Sequence, residues 1–214
     1  MSREESAVQV RRYTGQEPEM QINRREVLRY AMTGGEAEEA DAALRGMTDS
    51  VLREMQDAFD FRVCYRRMPL NWEAGKPRLP FGSESAQLAR LLAGCGEMIL
   101  FAATAGMEAD RRIARYQRIS PTKALLAQAL GAERAETLCD AFCKDMRREA
   151  LEEGLACTPR FSPGYGDLPL AAQKDFFRLL DCERKIGLYL NESLLMTPSK
   201  SVTAIFGLRK EDEP

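Results

Sequence analysis

The spacing of apolar residues changes several times along this chain, and each change predicts an element. Residues 1–20 are polar, charged and turn-rich, and read as a loose arm. In Ile22-Asn23-Arg24-Arg25-Glu26-Val27, an N-cap asparagine is followed three residues later by a glutamate and flanked by an apolar pair. That is the pattern of a capping box with a hydrophobic staple, and it predicts a short helix over 24–31. Gly34-Gly35 breaks the chain. Ala37, Ala40, Ala43, Leu44, Met47, Val51, Met55 and Ala58 then recur at helical spacing, predicting one long amphipathic helix or two short ones as far as residue 59. The acidic run Glu36, Glu38, Glu39 and Asp41 would occupy the first turns as a solvated face, where the helix dipole favours anions. Phe61 to Arg66 alternates like a half-buried strand, and Met68 to Gly82, rich in proline and glycine, reads as a loop.

Ser83 can cap a helix carrying Leu88, Leu91 and Leu92, which Gly94-Cys95-Gly96 closes. The almost continuous apolar run Met98 to Thr104 reads as a buried central strand. Gly106 turns the chain into a helix over 107–118, and Ser120-Pro121 supplies an N-cap and an N1 proline for a long helix over 121–152, in which Gly131 is the one place that could form a joint. The apolar stripe of that helix is Ala135, Leu138, Cys139, Phe142 and Met146, and Glu136 flanks it on the side of Cys139 and Cys143. A short strand over 155–158 leads into a proline- and glycine-rich stretch, Arg160 to Pro169. Beyond it lie a helix with Phe176, Phe177, Leu179, Leu180 and Ile186, stopped by Gly187, and two strands, Leu188–Leu190 and Ser201–Phe206. These elements predict an α+β fold, a single domain whose C-terminal half supplies most of an antiparallel sheet, with the long helix packed against it. Its sections are an arm over 1–20, a helical region over 21–96 with a strand near 61–66, a core over 97–208, and a charged tail over 209–214.

Composition narrows the chemistry. With 31 Lys and Arg against 33 Asp and Glu, the net charge of -2 gives no basic excess for nucleic acid. No apolar run approaches the roughly 18 residues of a membrane span, and the charged start is no signal peptide, so a cytoplasmic location is expected. The absence of histidine removes Ser-His-Asp triads, His-carboxylate metal sites and the commonest general base. The six cysteines lie mostly in apolar periodic segments without a C-x-x-C pair and read as reduced core residues; Cys139 and Cys143 have no further ligand near them in sequence. Gly94-x-Gly96 precedes a strand instead of following one, so it fails as a dinucleotide fingerprint.

The stretch Arg160-Phe161-Ser162-Pro163-Gly164-Tyr165-Gly166-Asp167-Leu168-Pro169 admits two readings. It can be a tight strand-to-helix turn, with Asp167 as N-cap and Pro169 in the first turn. It can also hold a ligand, because the prolines fix the bend and the glycines let a ligand approach the backbone. Glu136 is likewise either a rim salt bridge or part of a site.

From about residue 97 to 208 the chain resembles the activation, S-adenosylmethionine-binding domain of cobalamin-dependent methionine synthase. The matching features are the run Met98 to Gly106, the helix with Ala135-Glu136 and Phe142, the loop Arg160-x-x-Pro163-Gly164-Tyr165, and Glu192-Ser193-Leu194-Leu195-Met196-x-Pro198 with Ser201-Val202. The first hundred residues look more like short stand-alone versions of that domain than like its counterpart in the large enzyme. The resemblance implies a twisted antiparallel sheet with packed helices. It places Arg160 on the arginine that holds S-adenosylmethionine, with Ser162, Gly164 and Tyr165 lining the site, Glu136 on an acidic site residue, and Phe206-Gly207 on an aromatic pair after the last strand. Tyr165 or Phe206 would stack on the adenine. Two departures stand out: the family's N-terminal aspartate has no counterpart, and the second aromatic is Gly207.

The implied role is an accessory subunit that presents S-adenosylmethionine so that cobalamin, carried by a separate methionine synthase or related corrinoid protein, is reductively remethylated. The alternative is a docking or chaperone-like partner of corrinoid proteins that no longer binds S-adenosylmethionine. Neither role involves a membrane or nucleic acid.

Overall fold

The computed structural model describes residues 7–31 and 42–211; the acidic run from Glu36 to Asp41 lies outside them. In chain order the elements are β1 (Gln9–Tyr13), α1 (Arg24–Tyr30), α2 (Ala42–Glu54), β2 (Phe61–Pro69), β3 (Asn71–Glu73), β4 (Lys76–Arg78), α3 (Ala86–Leu91) and β5 (Glu97–Thr104). They continue with α4 (Met107–Ile119), α5 (Pro121–Glu152), β6 (Leu155–Cys157), α6 (Gln173–Leu180), α7 (Cys182–Ile186), β7 (Tyr189–Leu190), β8 (Met196–Thr197) and β9 (Ser201–Lys210). Five strands form one antiparallel sheet in the order β1-β2-β5-β9-β6, so β9 enters between β5 and β6.

β5 is buried along both faces, which is why its sequence is continuously apolar instead of alternating. One face of the sheet presents Val63, Phe101, Ala204 and Phe206 to Leu138, Phe142 and Met146 of α5. The other presents Cys64, Leu100, Ala102 and Ile205 to Leu88, Phe176, Leu180 and Ile186 of α3, α6 and α7. Ser120 caps α5 by accepting from the Lys123 amide, and Pro121 begins it. Its 32 residues make a rod about 48 Å long. The helix runs through Gly131 without a joint, and the missing Cβ there makes room for the Lys200 side chain. The N-terminal half of α5 carries a third apolar cluster, with α1, α2 and α4.

Several expectations are corrected. The opening of the chain is not a loose arm throughout, because residues 9–13 pair with Phe61–Tyr65 as an edge strand. That strand is polar because its contacts are: Arg11 donates to Glu149 at 2.6 Å and Tyr13 to Asp145 at 2.8 Å. The stretch from 68 to 82 is not all loop; β3 and β4 form a hairpin through Ala74 and Gly75, both at positive φ. The cap of α3 is Ser85, not Ser83. The helix expected to run through to Ile186 is two, divided at Asp181, where φ is 51°. β9 extends to Lys210, into the expected tail, and Leu188 precedes the two-residue β7, which pairs with β8 apart from the main sheet. All six cysteines are free, with Cys64 and Cys182 in Sγ–Sγ contact at 3.9 Å.

A buried ion pair fastens the N-terminal segment to α5. Asn23 caps α1 as predicted, accepting from the Glu26 amide, but its own N–H goes to Glu133 at 2.8 Å, and Glu26 binds Arg29 instead of closing the capping box. Arg134 donates to Glu133 at 2.6 Å and to the carbonyls of Met20 at 2.5 Å and Gln21 at 3.0 Å. Each of the pair is 2% exposed, so losing one partner strands a charge away from water. Arg134→Met should therefore cost about 3–5 kcal/mol in urea unfolding, and the double substitution Glu133→Gln/Arg134→Met distinctly less. Hydrogen exchange in β1 should rise in the single variant; equal losses in both proteins would show that burial of the charge is not what matters.

Candidate functional site

Strand β9 has an outer edge that is only partly covered. β6 pairs with Leu208 to Lys210, and beyond it Phe161 bridges Ile205, exchanging both backbone hydrogen bonds at 2.8 and 2.9 Å. Ile205 therefore points its N–H and C=O outward. Thr203, two residues earlier, points the same way by strand alternation, with no strand beside it. A cleft of about 430 Å³ opens along this edge. Its walls come from Arg160, Phe161, Ser162, Pro163 and Tyr165 of the loop, with Glu136 of α5. Gln173 of α6, Met196 of β8 and residues 201–203 of β9 complete it.

The loop keeps its shape through its own contacts. Gly164 donates to the Leu168 carbonyl at 2.9 Å, Tyr165 to Ser162 at 3.1 Å and Leu168 to Tyr165 at 3.1 Å. Asp167 is not the cap of the helix that follows it. Its carboxylate accepts from the amides of Ala86 at 2.7 Å and Gln87 at 3.2 Å and from the Ser85 hydroxyl, so it caps α3 across the molecule. The Ser85 hydroxyl, and then those amides, hold the carboxyl below the usual range. Pro169 leads into a single 3-10 turn, Leu170–Ala172, before α6. The two readings of the stretch are thus compatible: it is a braced turn, and it walls a cleft.

Arg160 reaches from this loop to α5, where Nη2 meets Glu136 Oε2 at 2.5 Å and Nη1 meets Asp140 Oδ1 at 2.6 Å. Glu136 and Asp140 stand one helical turn apart, so one guanidinium spans both. Burial works against the charge of Arg160, but the carboxylates of Asp140 and Glu136 outweigh it and raise its pKa, so it stays a cation. Burial pushes the Cys139 and Cys143 thiols up, against the pull of the same guanidinium. Two of the five guanidinium N–H donors serve the carboxylates, which leaves donors for a further anion.

Of the residues singled out in the sequence, Glu136, Arg160, Ser162 and Tyr165 share the cleft. Tyr165 is 70% exposed and stands at its mouth. Gly164 lies outside the lining; its φ of 89° closes the turn, and its missing Cβ admits Leu170. Phe206 and Gly207 lie outside the cleft lining. Phe206 is 1% exposed, with Phe101 and Phe142 at 6.1 and 6.5 Å between ring centroids, so its ring is occupied by the core. Gly207 is small because Leu92 and Cys95 pack where its side chain would be. The pattern missed Asp140, although its spacing from Glu136 could have suggested it. It also missed Gln173 and Thr203, which carry no motif. Among the described residues no group of three or more metal-ligating side chains is present, and no helix is long and apolar enough to cross a membrane.

An antiparallel sheet covered on both faces, with an arginine–carboxylate cleft at its partly open edge, defines a small α+β protein. The sequence matches the family model described as "Vitamin B12 dependent methionine synthase, activation domain" over residues 90–212, and the chain belongs to that family. Its fold is that of a solved structure described as "Crystal Structure of the MetH Reactivation Domain bound to AdoHcy". The two share 18% identity with a TM-score of 0.70, over 97% of this chain and 80% of that one. No curated protein matches the sequence.

The carboxylates paired with Arg160 are largely solvent-exposed, at 44% and 74%, which limits what the pairs add to stability. Arg160→Ala should lower unfolding stability by about 1 kcal/mol or less in a urea titration. A loss of several kcal/mol would mean that Arg160 chiefly braces the loop.

Proposed function

We propose that this protein binds S-adenosylmethionine in the cleft at the edge of β9 and presents it to cobalamin carried by a separate methionine synthase or related corrinoid protein, supporting reductive remethylation. The observation that carries the reading is the convergence of Arg160, Glu136, Ser162 and Tyr165 on one cleft in a member of the activation-domain family. AdoHcy, the ligand bound in the similar solved structure, is the product that S-adenosylmethionine leaves after giving up its methyl group.

The chemistry suits these side chains. Arg160 offers planar donors to the ligand carboxylate. Glu136 offers negative charge to the ammonium and sulfonium, and Tyr165 a ring at the mouth for stacking or for contact with the sulfonium. The volume lies within the range of small-molecule sites. When bound, the partner's cobalamin, reduced by an external donor, would supply the electron pair that takes the methyl group and leaves S-adenosylhomocysteine. This chain binds, orients and shields the ligand, work that needs no histidine or general base.

Calorimetric titration with S-adenosylmethionine tests the reading. Arg160→Ala should weaken binding by about thirty- to a hundredfold, the value of about 2–3 kcal/mol for a charge-assisted pair, and Arg160→Lys should weaken it too because an ammonium lacks the planar fork. Asp140→Asn should strengthen binding several-fold, since it frees Nη1 and removes a like charge from beside the ligand carboxylate. Unchanged affinity in Arg160→Ala would remove the arginine from the site.

A second reading, a docking protein that no longer takes the ligand, is favoured by the engagement of Arg160 with two carboxylates. It predicts no binding heat, with retention of a corrinoid module undiminished in Arg160→Ala. Under the first reading a cobalamin-bearing module is retained under reducing conditions. Absence of retention in every cobalt oxidation state would count against both.

A further inference from the structure

Two buried side-chain polar atoms have no hydrogen-bond partner among the described residues, Gln173 Oε1 and Thr203 Oγ1, and both residues line the cleft. Gln173 is 5% exposed and Thr203 2%. They arrive from different elements, the first turn of α6 and the open stretch of β9. Buried polar side chains in a folded protein are nearly always paired, so two orphans in one cleft point to groups whose partner is a ligand.

Their position also says which part of the ligand. Thr203 is in phase with Ile205, so its side chain lies on the α6 side of the sheet, where Ile205 packs with Phe176 and Leu180. Arg160 and Glu136 occupy the α5 side. The cleft therefore crosses the sheet edge from a charged end at α5 to a neutral, hydrogen-bonding end at α6. A carboxylate and an ammonium suit the first. The second suits a flat heterocycle with a donor beside an acceptor, and a carboxamide matches the amino edge of adenine in this way.

We propose that Gln173 and Thr203 are the base-reading residues of the site: the Gln173 carboxamide accepts from the adenine 6-amino group, and the Thr203 hydroxyl bonds the same edge of the base. This rests on the ligand reading above and adds a specificity to it. A cleft built to pair with that amino group rejects a purine lacking it, because the buried groups are then left without a partner.

The test pairs two ligands with two near-isosteric variants. S-adenosylhomocysteine is compared by calorimetry with its analogue bearing hydrogen in place of the 6-amino group, on the wild type, Gln173→Met and Thr203→Val. The wild type should prefer the amino-bearing ligand by about thirtyfold or more. Gln173→Met should lose most of that preference by weakening S-adenosylhomocysteine about tenfold or more while leaving the analogue within about twofold, and Thr203→Val should do the same to a smaller extent. Without ligand, Gln173→Met should raise the Tm by about 2–4 °C, since it removes an unpaired buried acceptor. If Gln173→Met weakens both ligands equally, or lowers the Tm and leaves the preference intact, Gln173 is structural and the inference fails while the ligand reading stands. If the wild type binds neither ligand, both fall together.

Discussion

Strand β5 is apolar on both faces, and the need to cover it twice sets the architecture. One cover is the long helix α5, whose stripe centred on Phe142 meets Phe101 and Phe206; the other is assembled from α3, α6 and α7. Both covers must end where the sheet ends, so their margins face each other across the outer edge of β9. The cleft is that margin. Its two ends differ chemically because they belong to different layers: the charged pair comes from the rim of α5 and the Arg160 loop packed on it, and neutral polar residues from the beginning of α6 and the inner phase of β9.

What was legible in the sequence followed from apolar periodicity. The continuous run at 98–104 identified the central strand, and Ser120-Pro121 with the stripe to Met146 identified α5. The failures share a cause, which is that the deciding partner lies far along the chain. The β1 strand is polar because Glu149 and Asp145 of α5 wait for Arg11 and Tyr13, 138 and 132 residues away. Asp167 reads as a local cap, yet serves a helix 81 residues earlier. Gly131 looks like a joint and is a seat for Lys200.

The site was legible to the extent that its residues sit in a motif. Arg160 to Tyr165 stood out through arginine, proline and glycine in close succession, and Glu136 through its place beside an apolar stripe. Phe206 lies away from the cleft because residues on one strand alternate between faces, and the pleat sends this ring under the sheet to Phe142. Earlier on the same strand, Ser201, Val202 and Thr203 reach the cleft.

The place of β9 has a consequence for how the molecule comes into being. It is the last strand of the sheet along the chain, and it inserts between β5 and β6, both made earlier. Until it arrives, Phe161 has no Ile205 to bridge and the cleft lacks a wall. During N-to-C synthesis, a chain that has not yet produced Ser201 to Ile205 holds Glu136 and Arg160 without any place for a ligand between them and α6. The wall that β9 gives the cleft is thus the last part of it to be synthesised, and a chain that stops before Ser201 has no cleft along this edge.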